Sequence, residues 1–446
     1  MTRSAADVSG HGIVAWGLVM ALGGMTLTWI HLAGLGGFDL SLAYAACIGL
    51  GLLMLLRPAQ SLQAATRLGQ SVLPWLCFYL LYLLILALHL AGFPDKGLIL
   101  RQAFFLVCGL TVATALVQAD GEAPVLRRAG MIAVLGFLAI SEFLAQQSGE
   151  SWMTAVQRFF VQGDLNYVLY GFLRALFQAA GDGVAAASAK NIVASGLFVA
   201  LVLYRAGHMS VLPDRKGQAM TLLVLTLLLI FSTRSVLLIA LLAMLMATIL
   251  AENRARKSRG AGLVLRVFAL VSLAVLLAFV LSTDQAATAR IGDRFSFADA
   301  STVGRLHQLE FALAGIEHSV LLGSGLSEIN GQLVHNLFLG AWLHGGLLAF
   351  LAVLCAYVAI VVGWLNFVIR IAQRRSNWVL PARPEWVATL PLLPLLRVWI
   401  AGDAGHPGYP EWLALMIFFA LLTANKHASR SMPQIRVSAV RRGVLI

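Results

Sequence analysis

Residues 218–250 read QAMTLLVLTLLLIFSTRSVLLIALLAMLMATIL, an apolar run in which Arg234 is the only charged residue. As one helix the run would be about 50 Å long, whereas the hydrocarbon core of a membrane is about 30 Å thick. Basic segments flank the run, with Arg215 before it and Arg254 after it. Because basic loops stay in the cytoplasm, the run is predicted to cross the membrane twice and to turn back at Arg234. That turn is expected at or just below the outer interface, where a charged residue marks a candidate functional site.

The composition is that of a membrane protein. Of the 446 residues, 60% are hydrophobic and 12% are charged, which excludes a soluble globular protein. The net charge is +12, and most of the lysines and arginines lie in segments inferred to be cytoplasmic. This distribution predicts contact with anionic membrane lipids and no nucleic acid partner. The four cysteines lie in apolar segments without metal-ligand spacing, so we expect core residues and predict no metal or cofactor. They are Cys47, Cys77, Cys108 and Cys355.

The hydropathy pattern predicts an all-α fold of about twelve transmembrane helices. Apolar segments fall near residues 12–31, 39–56, 71–92, 98–117, 129–144, 192–206, 218–232, 235–250, 263–281, 336–366, 386–400 and 409–424. With a cytoplasmic N-terminus, alternation leaves every strongly basic loop on the cytoplasmic side, which supports this topology.

These segments divide the chain into five parts. They are N-terminal spans at 1–144, an outer or interfacial loop at 145–191, central spans at 192–281 with the hairpin turn at Arg234, a large outer loop at 282–335, and C-terminal spans with a basic cytoplasmic tail at 336–446. The first loop is rich in aromatic residues and predicts one or two helices lying in the interface. In the second, residues 308–317 are predicted to be helical, and Gly323-Ser324-Gly325 is predicted to form a tight turn.

Three polar residues far apart in sequence are predicted to meet on the outer face. Arg234 lies at the hairpin turn, Arg305 lies in the second long loop, and His335 opens the tenth span. Arginine presents a rigid fork of donors that matches phosphate oxygens and stays charged. Histidine has an ordinary pKa near neutrality and can take a proton from an attacking hydroxyl. The three are candidate catalytic residues for glycosyl or phosphoryl transfer from a lipid-linked pyrophosphate.

Further residues on that face are candidate substrate-binding residues. They are Lys190, Asn191, Arg290, Arg294, Asn336 and Arg397. Other roles stay open for several of the candidates. Asn336 and the Lys190-Asn191 pair also suit helix caps, and Arg397 suits a side chain that snorkels to the surface better than one that lines a pathway. Taken alone, Arg234 suits a hairpin cap equally well, and Arg305 suits an exposed loop charge.

The order of these motifs resembles the bacterial O-antigen ligase family, within a superfamily that also contains O-antigen polymerases. The resemblance covers roughly residues 190–366. It is carried by Ser232-Thr233-Arg234-Ser235, Gly304-Arg305, Leu322-Gly323-Ser324-Gly325, and His335-Asn336-Leu337-Phe338-Leu339 running to Gly345-Gly346. Family members often carry an aromatic residue shortly after the Gly-Arg pair, where this chain has Leu306, His307, Gln308 and Leu309. Arg290 and Arg294 are therefore alternatives to Arg305.

The resemblance implies an enzyme of the bacterial inner membrane whose active site faces the periplasm. It would transfer O-antigen polysaccharide from undecaprenyl pyrophosphate to the lipid A–core oligosaccharide, without a metal ion and with inversion of the anomeric centre. Arg234 and Arg305 would bind the pyrophosphate, and His335 would orient or deprotonate the acceptor hydroxyl.

Two other functions stay open. An O-antigen polymerase or a protein O-oligosaccharyltransferase would use the same donor, and the sequence separates these acceptors poorly. A transporter or flippase of lipid-linked glycan is a different class. It would be expected to have charged or broken helices near the bilayer midplane and related halves, and we find neither in the sequence.

Overall fold

The computed structural model describes most of the chain. It covers residues 5–28, 30–35, 38–89, 92, 96–162, 164, 167–173, 175–176, 186–208, 215–231, 233–255, 300–325, 328–329, 332–334, 336–373, 378–397 and 407–431. Four predicted features lie outside these residues: the apolar segment 263–281, Arg290, Arg294 and His335.

The described residues form helices and two short antiparallel hairpins. The helices are α1 (Ala5–Gly23), α2 (Leu42–Leu55), α3 (Pro58–Ala87), α4 (Lys96–Gln118), α5 (Ala123–Gln147), α6 (Trp152–Val161), α7 (Ala186–Ala206), α8 (Arg215–Ile230), α9 (Arg234–Ala255), α10 (Ala300–His318), α11 (Leu337–Ala372), α12 (Pro384–Val387), α13 (Leu392–Arg397) and α14 (Tyr409–Ser431). A 3₁₀ turn at Gly24–Thr26 and a π-helical turn at Tyr167–Phe172 complete them. Strand β1 (His31–Leu35) pairs with β2 (Phe38–Ser41), and β3 (Glu328–Ile329) pairs with β4 (Gln332–Leu333).

The predicted class, an all-α polytopic membrane protein, is confirmed. Five helices among the described residues are long and apolar enough to cross a membrane: Pro58–Ala87, Lys96–Gln118, Ala123–Gln147, Ser235–Glu252 and Leu337–Ala372. Large apolar side chains such as Leu84, Leu242 and Val362 point out of the bundle, where they can contact lipid. The number of twelve spans and the placement of the loops outside the cell membrane stay predictions.

Two helices form the centre of the bundle. Residues 193–204 of α7 and 409–421 of α14 are buried on all sides. Helix α7 packs against α5, α8, α12 and α14, whereas α14 packs against α3, α4, α7 and α13. Helix α11 lies along α3, and α9 packs against α12 and α13. Apart from Ser195 and Glu411, these two buried stretches are apolar all round, as expected of an element without a solvent face.

Contacts between helices show which ends meet. Gln102, near the start of α4, donates through Nε2 to the Pro407 carbonyl just before α14 at 3.0 Å. Near the start of α14, Glu411 accepts a 2.7 Å hydrogen bond from Ser195 of α7. We call this the head end of the bundle, and α4, α7, α11 and α14 begin there. At the opposite, tail end, the N–H of Arg383 donates to the carbonyl at the end of α7 at 2.8 Å.

The predicted span at 386–400 is wrong as a continuous helix. The chain forms α12 and α13 instead, joined by a turn at 388–391. Pro391, the last residue of this turn, lacks the backbone N–H that a continuous helix needs, so the hydrogen-bond ladder breaks before α13. Trp364 of α11 donates through Nε1 to the Ala388 carbonyl in this turn at 2.8 Å. This bond satisfies one carbonyl of the turn, and the segment runs beside α7, where Arg397 reaches the Asn191 carbonyl.

The connection between the first two predicted spans also differs from the prediction. The first helical stretch ends at Thr26, α2 begins at Leu42, and the β1–β2 hairpin fills residues that were assigned to the spans. Ser41 explains the later start of α2, because its Oγ accepts a 3.4 Å hydrogen bond from Tyr44 N and caps the helix.

The cysteines divide into two pairs. Cys47 and Cys108 are buried, as predicted for core residues. Cys77 and Cys355 are exposed on the outer faces of α3 and α11, so the prediction of a core position is wrong for these two. A thiol behaves as a small apolar group and is equally compatible with a lipid-facing position.

Candidate functional site

The hairpin turn before Arg234 is buried inside the bundle. Phe231 is fully buried, and its ring lies 5.8 Å from the Phe137 ring and 6.5 Å from the Trp152 ring. The Leu237 N–H donates to the Thr233 carbonyl at 3.0 Å, and this bond closes the first turn of α9. The structure places the backbone of Arg234 at the first position of α9, directly after this turn.

The depth of this turn follows from the register of α5 and α7. Thr26 Oγ1 donates to the Ala133 carbonyl of α5 at 2.8 Å, and Gly196 of α7 packs against the backbone of the same threonine. Ala133 and Gly196 are therefore level. Phe137 lies one turn further toward the head end of α5, so it is level with the residues around Asn191 in the antiparallel α7. The turn that carries Arg234 lies at that depth.

Asn336 serves as a helix cap. Its Oδ1 accepts hydrogen bonds from the N–H groups of Phe338 at 2.9 Å and Leu339 at 3.1 Å. This is the capping role that the sequence left open, and it occupies the side-chain oxygen. His335 precedes Asn336 in the chain and lies outside the described residues.

Helix α11 is broken at Gly346, within the part of the helix that lies along α3. Gly346 has φ 72° and ψ −166°, a conformation that only glycine adopts readily. The carbonyl of Leu343, freed by the break, accepts the N–H of Ser324 at 2.6 Å, and that of His344 accepts the N–H of Gly325 at 3.1 Å. The segment around Gly323-Ser324-Gly325 is therefore hydrogen-bonded into the broken helix, which gives the paired glycine motifs a structural reason.

The same segment is also held from α3. His89 donates through Nε2 to the Leu322 carbonyl at 2.5 Å. The close approach requires glycine at 323, because a Cβ there would lie 2.5 Å from the N of Gly346. Hydrogen bonds thus connect the break in α11 to the end of α3. These contacts fix the orientation of the part of α11 that begins after Asn336.

Arg305 lies in α10, and the predicted helix at 308–317 is confirmed as part of it. Helix α10 packs on the first part of α11 through a small hydrophobic cluster of its own, separate from the main core. Its buried members are Ala312, Ile316, Val334 and Leu343. The structure therefore joins α10 and the start of α11 into one unit, but it describes Arg305 only by its backbone.

Arg397 is buried, which corrects the prediction that it snorkels to the surface. Its exposed fraction is 6%, and its Nη1 donates to Glu411 Oε1, to Ser195 Oγ and, at 3.3 Å, to the Asn191 carbonyl. Ser195 Oγ in turn donates to Glu411 Oε1 at 2.7 Å. The prediction missed Glu411, whose negative charge makes burial of the guanidinium possible. Asn191 contributes its backbone carbonyl to this arrangement.

Helix ends favour both charges of the pair. Arg397 is the last residue of α13, whose C-terminus carries the negative end of the helix dipole. Glu411 lies in the first turn of α14, at the positive end. A carboxylate in the first turn of a long apolar helix was visible in the sequence. A carboxylate at the start of a predicted span is a functional candidate, so this signal could have identified Glu411.

Polar contacts continue from this pair toward α3. Trp412 Nε1 donates to Gln102 Oε1 at 2.9 Å, and the Tyr79 hydroxyl donates to the same oxygen at 3.2 Å. Tyr79 precedes the end of α3 at Ala87 by eight residues, about 12 Å. The buried pair, which connects to Tyr79 through Trp412 and Gln102, therefore lies well inside the bundle relative to the end of α3.

The structure brings some candidates together and leaves others undecided. Asn191 and Arg397 are in contact, half-buried Lys190 adjoins them in α7, and the backbone of Arg234 lies at the same depth. Asn336 lies at the start of α11. Asn191, Ser195, Arg397 and Glu411 form a buried polar region in the head-end half of an all-α polytopic membrane protein, and Asn336 takes no part in the hydrogen bonds that join them. Comparison of the chain with protein-family models and with curated proteins gives no match.

Proposed function

We propose that this protein is a membrane glycosyltransferase of the O-antigen ligase type. It transfers O-antigen polysaccharide from undecaprenyl pyrophosphate to the lipid A–core oligosaccharide, on the periplasmic face of the bacterial inner membrane. The fold proposed with it has about twelve spans, and the head end faces the periplasm. The observation that carries the proposal is the buried Arg397, held at the depth of the hairpin turn that carries Arg234.

The depth of this region suits a lipid-linked head group. Glu411 precedes Lys426 by fifteen residues of α14, about 22 Å. With Lys426 at the cytoplasmic boundary of a hydrocarbon core of about 30 Å, Glu411 and Arg397 lie about 8 Å below the opposite boundary. A polyprenyl chain lies in the bilayer and its pyrophosphate lies at the surface, so an arginine that begins a helix near this depth, as Arg234 does, can reach the phosphate oxygens.

The proposed reaction is a single displacement. The acceptor hydroxyl attacks the anomeric carbon of the donor sugar, the bond from that carbon to the pyrophosphate oxygen breaks, and the hydroxyl proton passes to His335. Arg234 and Arg305 bind the pyrophosphate and stabilise the charge that it gains as it leaves. Attack from the face opposite the leaving group inverts the anomeric centre. Fixed guanidinium groups supply the positive charge, so the proposal needs no metal ion or cofactor.

The second candidate is a transporter or flippase of lipid-linked glycan, and two observations favour it. The segment α12–α13 is discontinuous, and a charge pair is buried beside it, although neither feature was found in the sequence. With Lys426 at the cytoplasmic boundary, as proposed, the pair would lie above the midplane, about 8 Å from the outer boundary rather than 15 Å. That position favours an enzyme that draws its substrate from one leaflet.

The proposal is tested by a transfer assay in vitro. Purified protein and the His335→Ala variant are each mixed with undecaprenyl-pyrophosphate glycan and rough lipopolysaccharide in the presence of EDTA. A ladder of modified lipopolysaccharide with the wild type alone is the expected result. Lengthened lipid-linked glycan would indicate a polymerase. If a periplasmic protein is supplied as acceptor and becomes glycosylated, an O-oligosaccharyltransferase would be indicated.

Absence of every product would contradict all three transferases. The same preparation is then reconstituted in liposomes with labelled lipid-linked glycan in the inner leaflet. Appearance of the label in the outer leaflet would establish the transporter in place of the enzyme.

A further inference from the structure

The two parts of α11 fold back on each other at Gly346. The Phe338 ring lies 5.1 Å from the Tyr357 ring, measured between ring centroids. In a straight helix these residues would be about 28 Å apart, so their contact requires a reversal of the chain between them. We call residues 337–345 the first arm of α11 and residues 347–372 its second arm. The two arms lie side by side and run in opposite directions.

The ring contacts also show how far the first arm reaches. Phe338 lies 6.4 Å from the Phe350 ring as well as beside Tyr357. Phe350 and Tyr357 follow Gly346 by four and eleven residues, about 6 Å and 16 Å along the second arm. Because Phe338 contacts both, it lies about 11 Å from the bend in the direction of the tail end.

The bend itself lies near the end of α3. A Cβ at Gly345 would lie 3.3 Å from the Ile85 side chain. Ile85 follows Tyr79 by six residues, about 9 Å, and Tyr79 is level with the buried charge pair to which Gln102 and Trp412 connect it. The first arm therefore returns from the bend to about the depth of that pair. In the proposed orientation this depth is about 8 Å below the outer boundary.

Hydrogen bonds protect the backbone at both ends of the first arm, as the interior of a membrane requires. At its start, Asn336 Oδ1 accepts from the N–H groups of Phe338 and Leu339. At the bend, the carbonyls of Leu343 and His344 accept from the segment at 319–325. The arm is thus suited to a position within the bilayer.

The first arm is packed between the second arm and α10. On one side, the Trp342 ring lies 4.7 Å from the Phe350 ring of the second arm. On the other side, Leu343 is buried in one cluster with Ala312 and Ile316 of α10. Contacts on two sides hold the start of the arm at a fixed depth.

We propose that α11 is a re-entrant hairpin whose first arm enters the outer leaflet and sets the depth of the proposed base. This inference rests on the proposed function for the role of His335, which precedes Asn336 in the chain. Phe338 and Tyr357 are positioning residues, because their ring contact keeps the start of the arm at about the depth of the turn that carries Arg234. The bond that is broken in the transfer therefore lies below the membrane surface.

Cross-linking tests the fold-back. In a background without the native cysteines, the variant Phe338→Cys/Tyr357→Cys is treated in membranes with a short bismaleimide, and mass spectrometry detects an intramolecular cross-link. We expect a cross-link, since the bend and the packing on α10 remain in this variant. In the control Phe338→Cys/Ile369→Cys, the second cysteine lies twelve residues further along the second arm, about 18 Å, and no cross-link is expected.

Fluorescence quenching tests the depth. A fluorophore is attached to the single cysteine of Phe338→Cys in the same background, and the protein is placed in nanodiscs. Lipids brominated along their acyl chains are expected to quench it more than lipids labelled at the head group. Leu322→Cys is the control, because Leu322 is exposed and its carbonyl is bonded to His89 beside the bend. There, head-group-labelled lipids are expected to quench more.

The positioning role is tested by two substitutions at one residue. Tyr357→Ala removes the ring contact, whereas Tyr357→Phe keeps it. Tyr357→Ala is expected to lower the kcat of transfer about tenfold or more, with an unchanged KM for the donor, because the arginines that bind its phosphates remain. Tyr357→Phe is expected to match the wild type. Rates are expressed per folded protein, so a purely structural role would leave kcat unchanged.

Absence of the cross-link in Phe338→Cys/Tyr357→Cys, or stronger head-group quenching at residue 338, would overturn the re-entrant hairpin. A wild-type kcat in Tyr357→Ala would overturn the positioning role. These results leave the proposed transferase standing. A wild type without transfer activity would instead remove the proposed function and the positioning role with it, whereas the cross-link and the quenching would still decide the hairpin.

Discussion

Arg397 shows how one distant residue, Glu411, can change the position that a sequence predicts for a charged side chain. An arginine late in an apolar segment is expected to reach for the surface. The sequence does not display the contact that reverses this expectation, because Glu411 and Ser195 come from α14 and α7 and meet Arg397 only in the folded bundle. The capping role of Asn336 was predictable, since a helix cap depends on residues two and three positions away.

Removal of one member of the buried pair is expected to be more harmful than removal of both. Arg397→Ala leaves the Glu411 carboxylate buried without its counter-ion, and we expect a loss of about 3–5 kcal/mol of stability. The double variant Arg397→Ala/Glu411→Ala has no buried charge and is expected to unfold at a higher temperature than Arg397→Ala. The measurement is thermal unfolding of the four proteins of the cycle in one detergent. A double variant whose loss equals the sum of the two single losses would contradict the pairing.

At the scale of elements, apolar segments predicted most helices but could not predict how they pack or break. Gly130 of α5 is an example of packing, because a Cβ there would lie 2.7 Å from the Tyr204 N of α7 and still closer to the Ala200 carbonyl. Gly136 lies in the same helix, and a Cβ there would meet no atom within 4 Å. The sequence presents both as glycines in an apolar helix, and only the neighbouring backbone distinguishes them.

These two glycines form a matched pair of substitutions. Gly130→Ala is expected to destabilise the protein by about 1–3 kcal/mol, because the backbones of α5 and α7 must move apart. Gly136→Ala is expected to be neutral or to stabilise the helix by up to about 1 kcal/mol. Thermal unfolding of the two variants beside the wild type checks both expectations. Equal effects in the two variants would mean that α5 and α7 do not meet at Gly130.

The break in α11 is the element that the sequence described least well. Residues 336–366 contain no proline, so the apolar run predicted one continuous span, and Gly345-Gly346 alone did not indicate where the helix would stop. The break depends on a partner distant in sequence, the segment at 319–325, whose N–H groups donate to the carbonyls freed in α11. Its physical cause is therefore tertiary, and glycine at 346 permits it without producing it.

Gly346→Ala is expected to release the segment 319–325 from α11. The Cβ would lie 2.5 Å from the Leu321 carbonyl carbon, and the backbone at φ 72° would be strained by any side chain. We expect the amides of Ser324 and Gly325 to exchange with deuterium at least about tenfold faster, measured by mass spectrometry. Gly340→Ala is the control, since its Cβ would meet its nearest neighbour at 3.7 Å. Unchanged exchange in Gly346→Ala would show that the docking does not depend on the break.

For the whole molecule, the sequence predicted the class from its hydrophobic composition and the direction of the spans from the distribution of its charges. Positive residues mark one side, and the structure gathers Arg127, Arg205 and Lys426 at the tail end of the bundle, away from the polar region around Glu411. The assembly of that region from α7, α13 and α14 could not be predicted, because periodicity gives the apolar faces of helices but not their neighbours. The proposed site therefore depends most on which end of the bundle faces the periplasm.

Helix α5 offers a direct test of that sidedness, because exposed residues flank it at both ends. Glu122 precedes the helix and Gln147 ends it, twenty-five residues apart and therefore about 37 Å, enough to cross the hydrocarbon core. In a background without the four native cysteines, Gln147→Cys is expected to react with a membrane-impermeant maleimide in cells with a permeabilised outer membrane. Glu122→Cys is expected to react only after the inner membrane is opened, because basic residues of the tail end hold it in the cytoplasm. The reverse pattern would place the Arg397–Glu411 region near the cytoplasmic face, where a periplasmic acceptor cannot reach it, and a ligase would no longer be tenable.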